Sequence, residues 1–129
     1  MASVSGFDDL QIWQLARKQA NELFQLYTCG PFATDYSLRN QINTASGSVM
    51  DNIAEGFERS GNKEFLHFLV IAKGSNGEVR SQLLRALDRK YISTEIFNNL
   101  LSQNILLSSK IANFMKYLKS SVRKGFRYE

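Results

Sequence analysis

The sequence predicts an all-α protein in which four amphipathic helices form an antiparallel up-down-up-down bundle. Three observations support this fold class. The 129 residues contain a single proline, apolar residues recur at intervals of three and four positions, and the breaks between the periodic stretches are short. A strict apolar–polar alternation, which would indicate strands, is absent. We therefore expect one domain over residues 1–129, with flexible ends at residues 1–6 and about 124–129.

The first helix is predicted to begin at Asp8 and to run to about Tyr27. Asp8 has the position of an N-cap, Gln11 would complete a capping box, and Phe7 would pack on Ile12 as a hydrophobic staple. The Gly-Pro pair that follows suits a helix end. The predicted buried face consists of Trp13, Ala16, Ala20, Leu23, Phe24 and Tyr27.

The second helix is predicted to begin near Ser37 and to end at residues 56–59. Small residues at positions 45–48 lower its surface, so another backbone could come close. Asn52 and Glu55 lie one turn apart near the end of the apolar face. Two interpretations remain open for this pair: an interface with another subunit or partner, or a hydrogen-bonded network that closes the helix end.

The third and fourth helices are predicted on either side of a short link at residues 90–92. Gly74 and Gly77 interrupt the third helix, and close backbone contact would explain them. Ser93 is the expected N-cap of the fourth helix, with Ile92 stapled to Phe97. The predicted apolar faces contain Phe65, Phe68, Leu69, Ala72, Val79, Leu83 and Leu87, then Phe97, Leu100, Leu107, Ile111, Phe114, Leu118 and Val122.

The charge of the chain is divided unequally along its length. The net charge is +4, but residues 1–58 carry three basic and seven acidic residues, whereas residues 59–129 carry thirteen basic and five acidic residues. This asymmetry indicates an anionic partner for the second half or a complementary neighbouring subunit. A solvated helical surface is the alternative.

Basic residues near the end of the chain form the strongest candidate for nucleic-acid binding. When Leu118 points to the core, Lys116, Lys119, Arg123 and Arg127 lie roughly 100–180° away around the helix. Lys124 continues this stripe, and no acidic residue occurs between Glu95 and Glu129. Such residues bind phosphates without sequence preference, and Phe126 and Tyr128 could stack on bases. The alternative is a solvated terminus.

Lys73 and Arg80 are a second basic candidate. They lie seven residues apart on the third helix, and therefore on nearly one face. In a ring-shaped assembly they could face a pore or a groove. An exposed face with Glu78 nearby is the alternative.

The sequence offers little support for catalysis, a metal or a membrane. Glu64 and His67 have the spacing that di-iron bundles use, but His67 is the only histidine. Cys29 is the only cysteine, so it cannot form an intramolecular disulfide. The chain shows neither a signal-peptide pattern nor an apolar stretch long enough to cross a bilayer. We therefore expect a cytoplasmic protein without enzymatic activity, cofactor or metal.

Several motifs together resemble the four-helix-bundle proteins encoded in intervening sequences of bacterial 23S ribosomal RNA genes. The motifs are Phe7–Leu10 with Trp13, Gln41–Ile42, Asn52–Phe57, Lys63–Phe65, Phe68–Leu69 and Ala72–Ser75. The chain departs from the family where Asn43 and Thr44 replace two arginines, where Met50 and Asp51 replace Pro and Ser, and where Asn76, Gly77 and Arg80 replace apolar and acidic residues. These departures indicate that the third helix gained a basic face while the second lost one.

The resemblance implies a non-enzymatic bundle that assembles as a ring-like homopentamer. The family includes the accessory variability protein of diversity-generating retroelements, which is understood to bind nucleic acid and its reverse transcriptase. Two functions are therefore expected: binding of RNA or DNA through basic surfaces with little sequence specificity, or service as a scaffold that docks a partner protein such as a reverse transcriptase.

Overall fold

The computed structural model describes residues 4–124, with side chains as far as Ser121. A 3-10 turn at Phe7–Asp9 precedes five α-helices, and no strand forms within residues 4–124. The helices are α1 Gln11–Tyr27, α2 Gly30–Thr34, α3 Tyr36–Glu58, α4 Asn62–Asp88 and α5 Thr94–Lys124. The all-α class and the four long helices are confirmed, and α2 is an additional short helix.

The four long helices run alternately up and down. Helix α3 packs against α1 and α4, and α5 closes the bundle against α4 and α1. Two side-chain contacts between α4 and α5 show the antiparallel alignment: the rings of Phe65 and Phe114 lie 5.3 Å apart, and Arg80, later on α4, donates to Asn104, earlier on α5, at 2.9 Å. Later residues of α5 therefore lie beside earlier residues of α4.

The start of α1 differs from the prediction that Asp8 caps it. The helix begins after Leu10, whose side chain provides no cap hydrogen bond. Instead, the Asp9 carboxylate accepts hydrogen bonds from the backbone amides of Ser5 at 2.9 Å and Gly6 at 3.3 Å. These bonds, that from the Ser5 amide first, lower the pKa of Asp9 below its usual value. The Asp9 carboxylate therefore stabilises the turn before the helix rather than the first turn of α1.

The other two predicted caps had different outcomes. The prediction that Ser37 caps α3 is wrong, because Asp35 is the N-cap and its carboxylate accepts from the Leu38 amide at 3.2 Å. The prediction for α5 is confirmed: the Ser93 hydroxyl accepts from the Ile96 amide at 3.1 Å. The helix starts at Tyr36, two residues earlier than a cap at Ser37 would place its start.

Asp35 also fastens the link between α4 and α5 to the start of α3. Its carboxylate accepts from the Tyr91 hydroxyl at 2.8 Å and from Arg89 Nη1 at 2.7 Å. The Tyr91 hydrogen bond, the Leu38 amide and then the Arg89 guanidinium hold the pKa of Asp35 below its usual value.

The Gly-Pro pair starts α2 instead of only ending α1. Gly30 adopts a left-handed φ of 61°, which costs glycine little, and Pro31 occupies the first turn of α2. This places Phe32 in the core, where its ring stacks on Tyr91 with 5.3 Å between centroids.

The hydrophobic core consists of two clusters. The first, near α2, contains Leu23, Tyr27, Phe32, Leu38, Ile42, Ala45, Val79, Leu83, Ala86, Ile92, Phe97 and Leu100. The second, near the link between α3 and α4, contains Leu10, Ile12, Ala16, Val49, Ile53, Phe65, Leu69, Ala72, Leu107, Ile111 and Leu118. Most predicted apolar positions are buried, but Phe24, placed on the core face of α1 by its spacing, is 52% exposed.

The glycines of α3 and α4 have two different environments. A Cβ atom on Gly56 would lie 2.7 Å from the Phe65 ring, so Gly56 permits close packing of α3 on α4. A Cβ atom on Gly47, Gly74 or Gly77 would meet nothing within 4 Å. The prediction of close backbone contact at Gly74 and Gly77 is therefore wrong within the described chain, where both glycines face open space.

Candidate nucleic-acid interface

A layer of buried amide side chains separates the two core clusters. Gln19 on α1, Asn76 on α4 and Asn104 on α5 are at most 1% exposed. The Asn104 amide donates to Gln19 Oε1 at 2.9 Å and to Asn76 Oδ1 at 3.0 Å, and Gln19 Nε2 donates to Asn76 Oδ1 at 2.9 Å. Asn76 Nδ2 in turn donates to the Asn104 carbonyl at 2.9 Å and to Ser108 Oγ at 2.8 Å. We call Gln19, Asn76 and Asn104 the amide layer.

The amide layer reaches the surface through Arg80. Arg80 is half-buried, and its Nε donates to Asn104 Oδ1 at 2.9 Å. Its terminal nitrogens Nη1 and Nη2 make no hydrogen bond or ion pair with any residue in the described range. The predicted basic residue Arg80 is therefore oriented by the core, and the layer that orients it was missed because isolated amides in helical patterns carry no distinctive sequence signal.

Lys73, the predicted companion of Arg80, is exposed and has no ion-pair partner within residues 4–124. The seven-residue spacing places it within about 20° of Arg80 around α4, and about 10 Å away along the axis. Glu78 lies two positions before Arg80, which is about 160° away around the helix. Lys73 and Arg80 thus share a face from which Glu78 points away.

Lys116 and Lys119 are exposed on α5, as the sequence predicts. Neither has an ion-pair partner among the described side chains. Because α5 runs antiparallel to α4, both lysines lie beyond Lys73 on the side of the bundle where α4 begins. Tyr117, between them in sequence, is 45% exposed and packs against Phe114 with 5.9 Å between rings. Sequence reasoning did not propose Tyr117 as a base-stacking residue.

The remaining predicted basic residues cannot be placed in this surface. The side chains of Arg123 and Lys124 and the whole of Arg127 lie outside the described part of the chain, as do Phe126 and Tyr128. Their proposed roles remain predictions from the sequence.

Asn52 and Glu55 have partners within their own chain. The Asn52 amide donates to the Ser48 carbonyl at 2.8 Å and to Ser48 Oγ at 3.0 Å. Glu55 accepts from Arg59 Nε at 2.9 Å, and the Arg59 guanidinium lies 5.1 Å from the centre of the Phe68 ring. These contacts support the structural interpretation of the pair, and an additional interface role stays a prediction.

Within residues 4–124, no three His, Cys, Asp or Glu side chains come together as a possible metal site. None of the helices in that range is long and apolar enough to cross a membrane.

Comparisons with known proteins agree with this architecture. One solved structure, described as a protein of unknown function from the S23 ribosomal protein family of Bacteroides thetaiotaomicron, superposes with a TM-score of 0.73. The match covers 81% of this chain and 98% of that chain at 16% sequence identity, so it shows the fold alone. No curated protein sequence matches this chain significantly. The family model for 23S rRNA-intervening sequence proteins matches residues 8–113, and the chain therefore belongs to that family.

Proposed function

We propose that this protein is a non-catalytic helical bundle that binds RNA or DNA through backbone phosphates, with little sequence specificity. The observation that carries the proposal is the pair of exposed lysines Lys116 and Lys119, which have no ion-pair partner among the described side chains and lie on a helix without acidic residues after Glu95. Unpaired cations on one surface attract a polyanion, since binding releases the counterions condensed on the phosphates.

The salt dependence of binding provides a quantitative test. Each neutralised phosphate of a single strand contributes about −0.7 to the slope of log K against log salt. The double substitution Lys116→Gln/Lys119→Gln should therefore reduce the slope for a single-stranded RNA by about 1.4 and weaken binding at every salt concentration. Fluorescence anisotropy with labelled RNA and duplex DNA measures the affinity and its salt slope. A range of roughly 50 to 200 mM salt is suitable, because phosphate-dependent affinity falls steeply over it.

A matched control removes two lysines outside this surface. Lys18 and Lys90 are also exposed, on α1 and in the link between α4 and α5 at the other end of the bundle, and Lys18→Gln/Lys90→Gln changes the net charge by the same amount. An equal loss of affinity in both double variants would indicate only net-charge attraction. Absence of binding to RNA and DNA at the lowest salt concentration would refute the proposed function.

We also propose that the protein acts as a homo-oligomer, with a pentamer as the state implied by family resemblance. The exposed apolar side chains of the outer surface support this proposal: Val70, Ile71 and Leu84 on α4, and Ile105 and Leu106 on α5. Exposed apolar surface commonly marks protein contacts. Light scattering at micromolar concentration measures the mass, and a stable monomer would refute self-association.

The same apolar residues also support a second candidate function, in which the protein docks a partner such as a reverse transcriptase. Substituting Val70 and Leu84 with Ser distinguishes the two functions. Loss of nucleic-acid binding with Lys116→Gln/Lys119→Gln, but not with the apolar variant, supports the first function. The second function is supported if the wild-type protein is monomeric, binds no nucleic acid and captures a purified reverse transcriptase, and if the variant with Ser at positions 70 and 84 no longer captures it.

A further inference from the structure

We propose that Arg80 is a phosphate-binding residue in the seam between α4 and α5, and that the amide layer holds it in the orientation needed for binding. This inference deepens the proposed function and rests on it for the source of the phosphate, a nucleic-acid backbone. The ligand chemistry is a phosphate group, and free phosphate is the other source to be distinguished.

The hydrogen bonding of Arg80 is the first argument. Arg59 and Arg89 donate to Glu55 and Asp35. Arg17 has no hydrogen-bond acceptor within the described chain and lies over the Trp13 ring. Arg80 uses only Nε, on Asn104 Oδ1 at 2.9 Å. Its two terminal nitrogens have no acceptor within the described residues, and a guanidinium presents such nitrogens to phosphate oxygens as a planar fork.

The rigidity of this arrangement is the second argument. Asn104 is 0% exposed, and its amide nitrogen is held by Gln19 and Asn76. The acceptor that orients Arg80 therefore belongs to the core, and the Arg80 side chain is already ordered before it binds a ligand. A freely moving surface arginine, in contrast, loses side-chain entropy when it binds. Orientation in advance of binding reduces this cost, which favours the bound state.

The electrostatic surroundings are the third argument. Helix α5, which packs beside Arg80, has no acidic residue between Glu95 and Glu129. On α4, Glu78 points about 160° away, and Lys73 shares the face of Arg80. The seam continues along α5 toward Lys116 and Lys119, at the end of the bundle where α4 begins. A phosphate chain lying in the seam would therefore meet positive charge from Arg80 to that end.

Gly77 gives the seam its accessibility. It lies between Lys73 and Arg80 along α4, and a Cβ atom there would meet nothing within 4 Å. A mid-helix glycine is less stable than alanine by roughly 0.5–1 kcal/mol, and no contact within the described chain explains this loss. Gly47 and Gly74 also meet nothing within 4 Å, so it is the place of Gly77 between Lys73 and Arg80 that leads the proposal to predict close approach of a phosphate backbone to α4.

The experiment compares Arg80→Lys with Arg85→Lys, its matched control on the same helix. Arg85 donates to Gln41 on α3 and lies outside the seam. Both substitutions keep the charge, but lysine lacks the planar fork. Anisotropy with single-stranded RNA should show roughly tenfold weaker binding for Arg80→Lys and less than twofold for Arg85→Lys. Equal effects of the two variants, or no effect of Arg80→Lys, would overturn the inference.

Gly77→Ala provides a second variant that keeps all hydrogen bonds. We expect it to raise the thermal midpoint and to weaken RNA binding about threefold or more, since a methyl group occupies the approach to α4. Gly47→Ala, which also points to open space but lies on α3, should raise the midpoint without changing RNA affinity. Unchanged RNA affinity in Gly77→Ala would contradict the close approach.

Side-chain NMR separates this inference from the proposed function. Addition of RNA should shift the Nε–H signal of Arg80 and, through it, the Asn104 amide signals, although Asn104 is buried. If RNA binding depends on Lys116 and Lys119 while neither signal moves, the proposed function stands and the inference fails. If RNA does not bind, inorganic phosphate decides: a saturable Arg80 Nε shift assigns the site to free phosphate, and no shift refutes it.

Discussion

Replacement of Asn104 by leucine tests whether the amide layer stabilises the bundle as a connected network. Leucine has a similar shape but forms no hydrogen bond. The substitution leaves Gln19 Oε1, which accepts from Asn104 at 2.9 Å, buried without a donor. An orphaned buried acceptor costs about 1–3 kcal/mol, so we expect Asn104→Leu to lower the free energy of unfolding by about 2 kcal/mol.

The thermal shift follows from the size of the chain. With about 2.1 cal/mol/K of unfolding entropy per residue, a chain of this length loses about 7 °C in its midpoint for 2 kcal/mol. The triple substitution Gln19→Leu/Asn76→Leu/Asn104→Leu removes the buried orphan as well as the network, and the half-buried Arg80, whose Nε loses Asn104 Oδ1 in both variants, can turn to solvent. It should regain wild-type stability or exceed it, because a polar network replaced as a whole by apolar groups is often neutral or stabilising.

Urea unfolding followed by circular dichroism, at one fixed protein concentration, measures both variants. The sign reversal between the single and the triple variant is the diagnostic result. If Asn104→Leu is more stable than the wild type, the layer leaves no costly orphan. If the three substitutions destabilise additively, the amides contribute independently. Either result would refute the network argument.

Three further predictions concern the fold. Gly56→Ala should lower the free energy of unfolding by about 1–3 kcal/mol, since the added methyl group presses on the Phe65 ring. Gly47→Ala, with open space around it, should raise the free energy of unfolding by about 0.5–1 kcal/mol. Urea titration measures both variants, and equal effects would contradict the assigned packing. Asp35 has a lowered pKa, so its stabilising contribution is complete above pH about 4 and disappears as the pH falls through the lower folded-state pKa; Asp35→Asn should flatten the acid side of a stability–pH profile measured by denaturation, and an unchanged profile would argue against the Tyr91 and Arg89 contacts. Ser93→Ala removes the α5 N-cap and should cost about 1 kcal/mol, which thermal melting detects, while a variant as stable as the wild type would show that the cap is dispensable.

The sequence was informative about the fold wherever one periodic signal dominated. Helix ends at Tyr27 and Glu58, the Ser93 cap and most core leucines followed from spacing and capping chemistry. Phe24 was misplaced because its three- and four-residue spacings on α1 fit two neighbouring faces of the helix. The buried face is the one that contains Gln19, and Phe24 lies beside it. Helix α2 was missed because Gly-Pro signals a helix end and a helix start equally well.

The candidate site was predictable only in part, for a physical reason. Exposed lysines such as Lys116 follow from the helical period, because a charged side chain opposite an apolar face must meet solvent. The coupling of Arg80 to Asn104 depends on how α4 and α5 are aligned, which no local pattern encodes. Gln19, Asn76 and Asn104 each read as ordinary polar residues until three helices bring them together.

The amide layer also restricts how the helices can slide. If α5 moved along the bundle by one turn, several core positions would still hold apolar residues, with Ile111 in the place of Leu107 and Leu118 in the place of Phe114. Leu100 or Ser108 would then stand opposite Gln19 and Asn76, and neither side chain can serve both amides as Asn104 does. One polar residue in an apolar seam can specify helix register in this way. The three amides therefore select one position of α5 along the bundle axis among several that apolar packing alone would allow.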